Sequence, residues 1–382
     1  MSADTGRPAT AAAPLQRLVA IDLMRGLVMI LMAVDHSSDA FNAGRVFTDA
    51  ARLYHAGTPL PVAQFLVRWL THLCAPTFSF LAGVGLSFTV KKERSRGKSE
   101  RSIDGYLLTR GLLIAAFELW ISYFVMPKGV YLFQVLYAIG TSYLFMIPLR
   151  RLPNRVVWAV AIGMMVSLEL ACRLITQHFG ANPPLWATLL FVGGQPAHLV
   201  VGYPTLHWFS LLLLGFGFGN YLIERPQTPA QLSGKLLAAG GLLLLGFAAI
   251  RGSNGYGNMG LFRDDDSLVQ WLHVSKYPPG LSYISLELGI CFLVLAACFA
   301  LSAKRAPKSS NPLLVFGQTP MFFYLLHFPL LLESAHFLGV EGKLGLGAAL
   351  LGAAAVVIAL YPVCRAYRTY KVAHKEGWTR FI

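Results

Sequence analysis

The chain has 382 residues, of which 55% are hydrophobic and only 13% are charged, and its formal net charge at pH 7 is +14. This composition excludes an ordinary soluble domain. We therefore predict an integral membrane protein.

Apolar runs long enough for transmembrane helices recur along the whole chain. A hydrocarbon core of about 30 Å requires roughly 20 apolar residues in each helix. Ten such runs lie near residues 16–35, 68–90, 105–126, 131–149, 155–174, 203–223, 234–251, 279–302, 312–337 and 345–366. Strands of a transmembrane barrel would alternate apolar and polar residues, and these runs do not. The predicted fold class is all-α, a polytopic transmembrane bundle of about ten helices.

Lys and Arg are concentrated in alternate connections, after the second, fourth, sixth and eighth runs, and in the C-terminal tail. Because these residues accumulate on the cytoplasmic side of a membrane, we predict that both termini are cytoplasmic. The predicted parts are a disordered segment (1–15), a transmembrane domain (16–366) and a basic tail (367–382). Topology and the anionic lipids of the bilayer account for the positive charge, so no nucleic-acid partner is predicted.

The five cysteines lie within or at the ends of apolar runs, without the spacing of metal ligands. Their odd number and their positions argue against a disulfide framework. We predict that they are packing residues and that the protein has no metal site.

The first run contains four ionisable side chains, Asp22, Arg25, Asp35 and His36. Each is costly at membrane depth unless it is paired, hydrated or functional. Arg25 and His36 are eleven residues apart, which places them on one helix face about 16 Å from each other. Asp22 lies one turn before Arg25 and can pair with it. One interpretation is a structural ion pair with His36 at the helix end, and the other is a functional site.

Further polar residues are predicted at the depth of the outer end of this first helix. His72 lies near the outer end of the second run, His207 at the start of the sixth, and His327 two thirds of the way through the ninth. Lys276 and Tyr277 lie just outside the eighth run. A single histidine is more often a packing residue, but histidines from four helices at one depth indicate a site.

Five sequence blocks occur in order along the chain: RLVAIDLMRGLVMILMAVDH, THLCAPTFSFLAGVG, YPTLHWF, SKYPPGLSY and FGQTPMFFYLLHFPLL. Together they resemble the bacterial relatives of heparan-alpha-glucosaminide N-acetyltransferase, from about residue 16 to the tail. The ten residues between Arg25 and His36 also match the arginine-to-histidine spacing of the acyltransferase 3 family. The resemblance implies a multi-pass enzyme of the bacterial inner membrane that moves an acyl group, usually acetyl, from cytoplasmic acyl-CoA to a sugar or glycan acceptor on the periplasmic side.

Acyl transfer requires a general base, and His36 is our first candidate, with Asp35 or another carboxylate orienting its ring. In the eukaryotic branch of the family an asparagine occupies the place of His36, and the catalytic histidine lies further along the next loop. Here that loop contains His55, which is our second candidate. The candidate donors to the thioester oxyanion are Lys276, Tyr277, Tyr324 and a second histidine, which would be one of His72, His207 and His327.

The acyl-CoA donor would extend from the cytoplasm towards these residues. Arg25, paired with Asp22, would contact its pantetheine arm or pyrophosphate. The candidates for its nucleotide phosphates at the cytoplasmic mouth are Lys91, Lys92, Arg94 and Arg96.

Two other classes of protein are compatible with buried charges. A proton-coupled transporter or flippase would use them as a relay, although the repeated halves and broken helices typical of transporters are not evident in the sequence. A non-catalytic scaffold would leave the four histidines without a role. The acceptor, the acyl chain length, a covalent acyl-histidine and homo-oligomer formation stay open.

Overall fold

The computed structural model describes residues 12–374 and 377, and these residues are mostly helical. The helices are α1 (Ala12–Phe41), α2 (Val62–Thr71), α3 (Cys74–Ser95), α4 (Glu100–Val125), α5 (Val135–Leu149), α6 (Asn154–Phe179), α7 (Leu185–Ala187), α8 (Thr205–Glu224), α9 (Pro229–Ser253), α10 (Leu268–Leu272), α11 (Leu281–Lys304), α12 (Pro312–Gln318), α13 (Pro320–Phe337) and α14 (Leu346–Ala373). Two short strands, β1 (Tyr131–Phe133) and β2 (Leu199–Val201), pair in parallel. The predicted all-α membrane fold is confirmed.

The number of spans differs from the predicted ten. Each of the ten apolar runs contains a helix or a pair of helices, but within the described residues seven are long and apolar enough to cross a membrane, or eight if a bent pair is one span. The predicted fourth run is divided, because residues 131–133 form β1 and leave α5 with only 15 residues. The first run contains too many charges to count as an apolar span. The count of ten and the orientation of the termini stay predictions.

The helices form a buried centre and an apolar periphery. α3 and α8 are mostly buried inside the bundle, whereas most residues in the apolar stretches of α6, α9 and α14 are not buried. Leucines on the exposed faces, such as Leu242, Leu245 and Leu351, are about 70% exposed. An apolar surface of this kind suits contact with lipid tails.

The predicted ninth run is broken at Thr319. Pro320 disfavours a helical conformation at the residue before it, so α12 ends there and α13 begins at a bend of 98°. The Asn311 side chain accepts a hydrogen bond from the backbone nitrogen of Leu313 and caps α12. The break turns α12 across α1, near Asp22 and Arg25.

Glycines allow α1 and α12 to cross in backbone contact. A Cβ atom built on Gly26 would lie 1.9 Å from the backbone oxygen of Leu313, and one built on Gly317 would lie 1.8 Å from that of Asp22. Only a residue without a side chain fits at either point. The crossing therefore fixes the position of Asp22 against α12.

We expect Gly26→Ala to destabilise the protein by about 1–3 kcal/mol or more, because the added methyl group forces two backbones apart. Gly163→Ala is the matched control, since Gly163 lies on an exposed face of α6 with open space around it. There the change should be neutral or stabilising by about 0.5–1 kcal/mol. Thermal unfolding in lipid nanodiscs measures both. A Gly26→Ala protein as stable as wild type would contradict the crossing.

The longer connections meet at one end of the bundle and form a roof, which we define as residues 42–61, 180–204 and 254–280. The Tyr54 hydroxyl donates to Asp264, and His273 bonds to the backbone of Thr48. The buried Arg251 donates hydrogen bonds to five acceptors within residues 254–273. These contacts order the connections at this end of the bundle.

The basic connections lie at the opposite end, where Arg150 bonds to Asp104. At the chain ends, α1 already begins at Ala12 and α14 continues to Ala373, beyond the predicted start of the tail at residue 367. The remainder of the predicted N-terminal segment, residues 1–11, and most of the tail after residue 374 lie outside the described residues.

Candidate active site

His36 on α1 and His327 on α13 form a direct hydrogen bond. Nδ1 of His36 lies 2.8 Å from Nε2 of His327, and Nδ1 of His327 lies 2.9 Å from the backbone oxygen of Phe323. His327 is fully buried and His36 is half-buried. Within residues 12–374, Nε2 of His36 has no hydrogen-bond partner, and it is not enclosed. The pair thus leaves one ring nitrogen available for chemistry.

Aromatic side chains hold both imidazole rings in place. The His36 ring stacks on Phe328 with centroids 3.8 Å apart, and the His327 ring stacks on Phe323 at 4.8 Å. Tyr324 presents its ring edge to His36 at 6.1 Å. Because both rings are stacked, rotation of either side chain would cost packing on α13.

Arg68, near the end of α2, joins the first helix to the roof. Its Nη1 donates to both carboxylate oxygens of Asp35, at 2.7 and 3.0 Å, and its Nε donates to Asp49 at 2.7 Å. Its Nη2 donates to the hydroxyl of Tyr277 at 3.2 Å. Arg68 is only 5% exposed, so this one buried guanidinium neutralises two carboxylates.

Asp35 has two further partners besides Arg68. The Thr71 hydroxyl donates to it at 2.9 Å, and Arg45 forms an ion pair with it at 3.2 Å. The expectation that Asp35 orients the ring of His36 is therefore wrong for the bonding seen here. Its carboxylate is engaged by α2 and the roof, and the partner of the His36 ring is His327.

The pKa values of Asp49 and Tyr277, both in the roof, are shifted by their neighbours. Burial raises the pKa of Asp49, but Arg68 and His72 lower it more, so the net pKa lies well below the usual range. Burial likewise raises the pKa of Tyr277, and Lys276 and Arg68 bring it below its ordinary value. The Nζ atom of Lys276 lies 5.3 Å from the centroid of the Tyr277 ring. This region of the roof is therefore electropositive around its carboxylates.

An inner cavity of about 430 Å³ runs along α1 below the histidine pair. Its wall includes Asp22, Arg25 and Met32 of α1, and Tyr324 of α13. Positions 22 to 32 of a helix span about 15 Å, so the cavity reaches from the ion pair to within one turn of His36. The hydroxyl of Tyr324 has no hydrogen-bond partner in the described part of the chain and is not enclosed.

The lower end of this cavity is cationic. Arg25 pairs with Asp22 at 3.2 Å and donates to the backbone oxygen of Leu81. With both contacts formed, its side chain still lines the cavity. Arg110 of α4 and Lys371 of α14 line the same space. The remaining wall is mostly apolar. Three cations against one carboxylate make a site for an anionic group attached to an apolar chain.

An outer cavity of about 1060 Å³ lies between α6 and the roof. Its polar lining includes Arg52, Arg173, Gln177 and Asn182. Tyr277 also lines it, and the hydroxyl of Tyr277 bonds to Arg68. One side chain therefore connects this cavity to the network around Asp35.

The four predicted histidines do not all converge. His36 and His327 touch. His72 does not reach this pair and instead lies 3.4 Å from Asp49, which accepts a hydrogen bond from Arg68. His207 instead bonds to the backbone of Phe191, beside α6. The predicted meeting of four rings is thus wrong for His207, because α8 turns that face towards α6 rather than α1.

Other predicted residues also lie apart from the histidine pair. His55 is exposed in the roof, and its backbone oxygen caps a turn at Thr58. Arg94 and Arg96 pair with Glu100 and Glu93 on the surface. The basic run at residues 91–96 does not line the inner cavity, where Arg110 and Lys371 lie instead.

Sequence reasoning missed Arg68, Asp49, Arg45 and Lys371. Arg68 gives a usable signal, because it is a charge six residues into an apolar helix. Asp49, Arg45 and Lys371 resemble ordinary loop and tail charges in the sequence. Among the described residues, no three His, Cys, Asp or Glu side chains are grouped as metal ligands.

Comparison with known families gives one match. Residues 17–246, more than half of the chain, match the family described as "Heparan-alpha-glucosaminide N-acetyltransferase, catalytic". The matched range contains Arg25, Asp35, His36, Arg68 and Arg110, and it ends before His327 and Lys371. No curated protein matches the chain.

Proposed function

The chain belongs to the heparan-alpha-glucosaminide N-acetyltransferase catalytic family, and from this premise we propose that it transfers acetyl groups from acetyl-CoA to a sugar or glycan across the membrane. Family membership and the apolar helices establish a multi-pass membrane protein with an acetyltransferase role. The donor, the acceptor and the side on which transfer occurs are the proposal.

One observation supports the proposal most directly: a histidine with an available ring nitrogen lies just beyond an elongated cavity whose far end is cationic. Acetyl-CoA has the complementary form, with phosphates at one end, a long pantetheine arm and a thioester at the other. Bound in the inner cavity, its phosphates would lie near Arg25, Arg110 and Lys371, and its thioester would lie near His36.

In the proposed reaction, Nε2 of His36 takes the proton from a hydroxyl or amine of the acceptor. The acceptor oxygen or nitrogen forms a bond to the thioester carbonyl carbon, and the carbon–sulfur bond breaks. The same nitrogen then returns the proton to the sulfur, which leaves as the thiol of CoA. The Tyr324 hydroxyl, on the cavity wall beside His36, would donate to the oxyanion.

The outer cavity is our proposed entry for the acceptor. Its volume admits a sugar, and the amide and guanidinium groups along its wall suit a ligand rich in hydroxyl groups. An acceptor bound there, beneath the roof, would lie on the side opposite the basic connections. With the predicted topology, this is the periplasmic side.

Purified protein in liposomes tests the function. Radiolabelled acetyl-CoA is supplied on the face carrying the basic connections, and glucosamine or a neutral sugar on the other face. We expect labelled acetyl-sugar on the roof side together with free CoA on the donor side. Movement of sugar across the membrane without acetylation would instead establish a transporter, and absence of both products with bound donor would contradict the proposal.

We expect Arg25→Ala to weaken acetyl-CoA binding about ten- to a hundredfold, because a hydrogen bond to a charged group contributes roughly 1.5–3 kcal/mol. Isothermal titration of the folded variant measures the dissociation constant. Arg155→Ala is the matched control, since Arg155 is exposed near the same end of the bundle and does not line the cavity. Equal weakening in both variants would indicate a general charge effect and reject a specific contact.

A further inference from the structure

We infer that His327 is a positioning residue, which fixes the tautomer of His36 so that Nε2 is the basic nitrogen, and which accepts a charge-assisted hydrogen bond from Nδ1 when Nε2 of His36 is protonated. This inference rests on the proposed function and adds to it the partner of the base. In many acyl-transfer sites a carboxylate holds the base. Here the neighbouring carboxylate, Asp35, is bound to Arg68, Arg45 and Thr71.

The hydrogen bonds assign the protons in sequence. A backbone oxygen only accepts, so the 2.9 Å contact from Nδ1 of His327 to Phe323 places a proton on that Nδ1. In neutral His327, Nε2 is then an acceptor. The 2.8 Å contact to His36 therefore places a proton on Nδ1 of His36, and the lone pair of neutral His36 is on Nε2.

The site has the features needed to keep this arrangement. The backbone oxygen of Phe323 belongs to the first turn of α13, one turn before His327. The first acceptor in this series of hydrogen bonds is therefore fixed by the helix itself. Full burial of His327 excludes water as a competing partner for its ring. The stacked contacts with Phe323 and Phe328 hold both rings close to one plane, 14° apart.

A neutral partner also determines how charge is carried during transfer. When Nε2 of His36 gains a proton, the charged ring donates from Nδ1 to Nε2 of His327, and that bond becomes charge-assisted. The other charged groups acting on His36 are Asp35 of α1, Arg45 of the roof and Lys276 beside α11. Asp35 is shared with two arginines, so His327 is the group in direct contact with the new charge.

Two kinds of measurement test the inference. First, ¹⁵N NMR of histidine-labelled protein in bilayers, with His36 assigned by the signal lost in His36→Gln, reports the protonated nitrogen. We expect a proton on Nδ1 of His36, a bare Nε2, and a coupling across the bond to Nε2 of His327. A proton on Nε2 with a bare Nδ1 would overturn the inference, whether or not the wild type proves to be an acetyltransferase.

Second, two substitutions separate the acceptor from packing. His327→Phe fills the space without an acceptor, and we expect kcat to fall about a hundredfold, the lower end for loss of acid–base function, with KM for acetyl-CoA nearly unchanged. His327→Gln offers a carbonyl acceptor and should recover a large part of kcat. His336→Gln, an exposed position on the same helix, is the control and should retain wild-type activity.

Equal loss in the Phe and Gln variants would mean that an acceptor at position 327 does not restore transfer, and full activity in the Phe variant would mean that His327 acts only by filling space. Either result overturns the inference. If the wild type transfers no acetyl group, the proposed function fails by itself, and the NMR result still decides the tautomer.

Discussion

His36→Ala is expected to lower the rate of acetyl transfer by about 10²- to 10⁴-fold, the usual contribution of a general base. Binding of acetyl-CoA should stay within several-fold of wild type, because the imidazole acts only when a proton moves. His36 lies beyond the end of the inner cavity and does not line it, so its removal leaves the cationic end intact. Single-turnover kinetics and equilibrium titration on the same folded variant separate chemistry from binding.

His55→Ala is the comparison that decides between the two candidate bases. His55 is exposed in the roof and does not touch the histidine pair, so we expect transfer close to that of wild type. An exposed histidine on α6, His178, provides a further control for loss of any imidazole. If His36→Ala retains full transfer while His55→Ala loses it, the base is the loop histidine and the assignment to His36 is wrong.

The sequence predicted the helical half of this site well. The eleven-residue spacing of Arg25 and His36 depends only on helix periodicity, and α1 is one continuous helix through both positions. The same holds for the pairing of Asp22 with Arg25, which needs only the next turn. Local rules are sufficient wherever both residues belong to one helix.

Contacts between helices were predicted less well, because they depend on packing. The partnership of His36 and His327 requires α13 to begin at the bend after Thr319, which sets the rotation of that helix. His207 shows the opposite outcome, since its side chain lies on a face of α8 that is turned towards Cys172 of α6 and Phe191. Depth follows from hydropathy, whereas the facing direction of a buried helix has no periodic signal when it is apolar all round.

The roof shows why loop contributions were missed. Asp49 lies in a connection whose conformation no repeat predicts, and its neighbours Lys276 and Tyr277 are more than two hundred residues away. The backbone oxygen of Asp49 accepts from the backbone nitrogens of both. The sequence identified Lys276 and Tyr277 from their predicted depth alone, but not Asp49, the residue whose backbone oxygen holds them.

Arg68→Met is expected to destabilise the protein by about 3–5 kcal/mol, because removal of one partner leaves buried charges uncompensated. Asp35 and Asp49 both depend on this guanidinium, and the low pKa of Asp49 keeps that carboxylate ionised at neutral pH. Since its folded-state pKa is depressed, the stability from Asp49 is present above the unfolded value of about 3.9 and is lost as pH falls towards the folded value.

The control for Arg68 is Arg94→Met, which breaks an exposed ion pair with Glu100 and should cost at most about 1 kcal/mol. Adding Asp49→Asn to Arg68→Met should recover part of the loss, since it removes one of the unpaired charges. Thermal unfolding in nanodiscs at pH 7 measures all three variants. If Arg68→Met and Arg94→Met lower the stability equally little, Arg68 does not hold the first helix to the roof. The hydrogen bonds from Tyr277 through Arg68 to Asp35 would then not connect the outer cavity to the first helix.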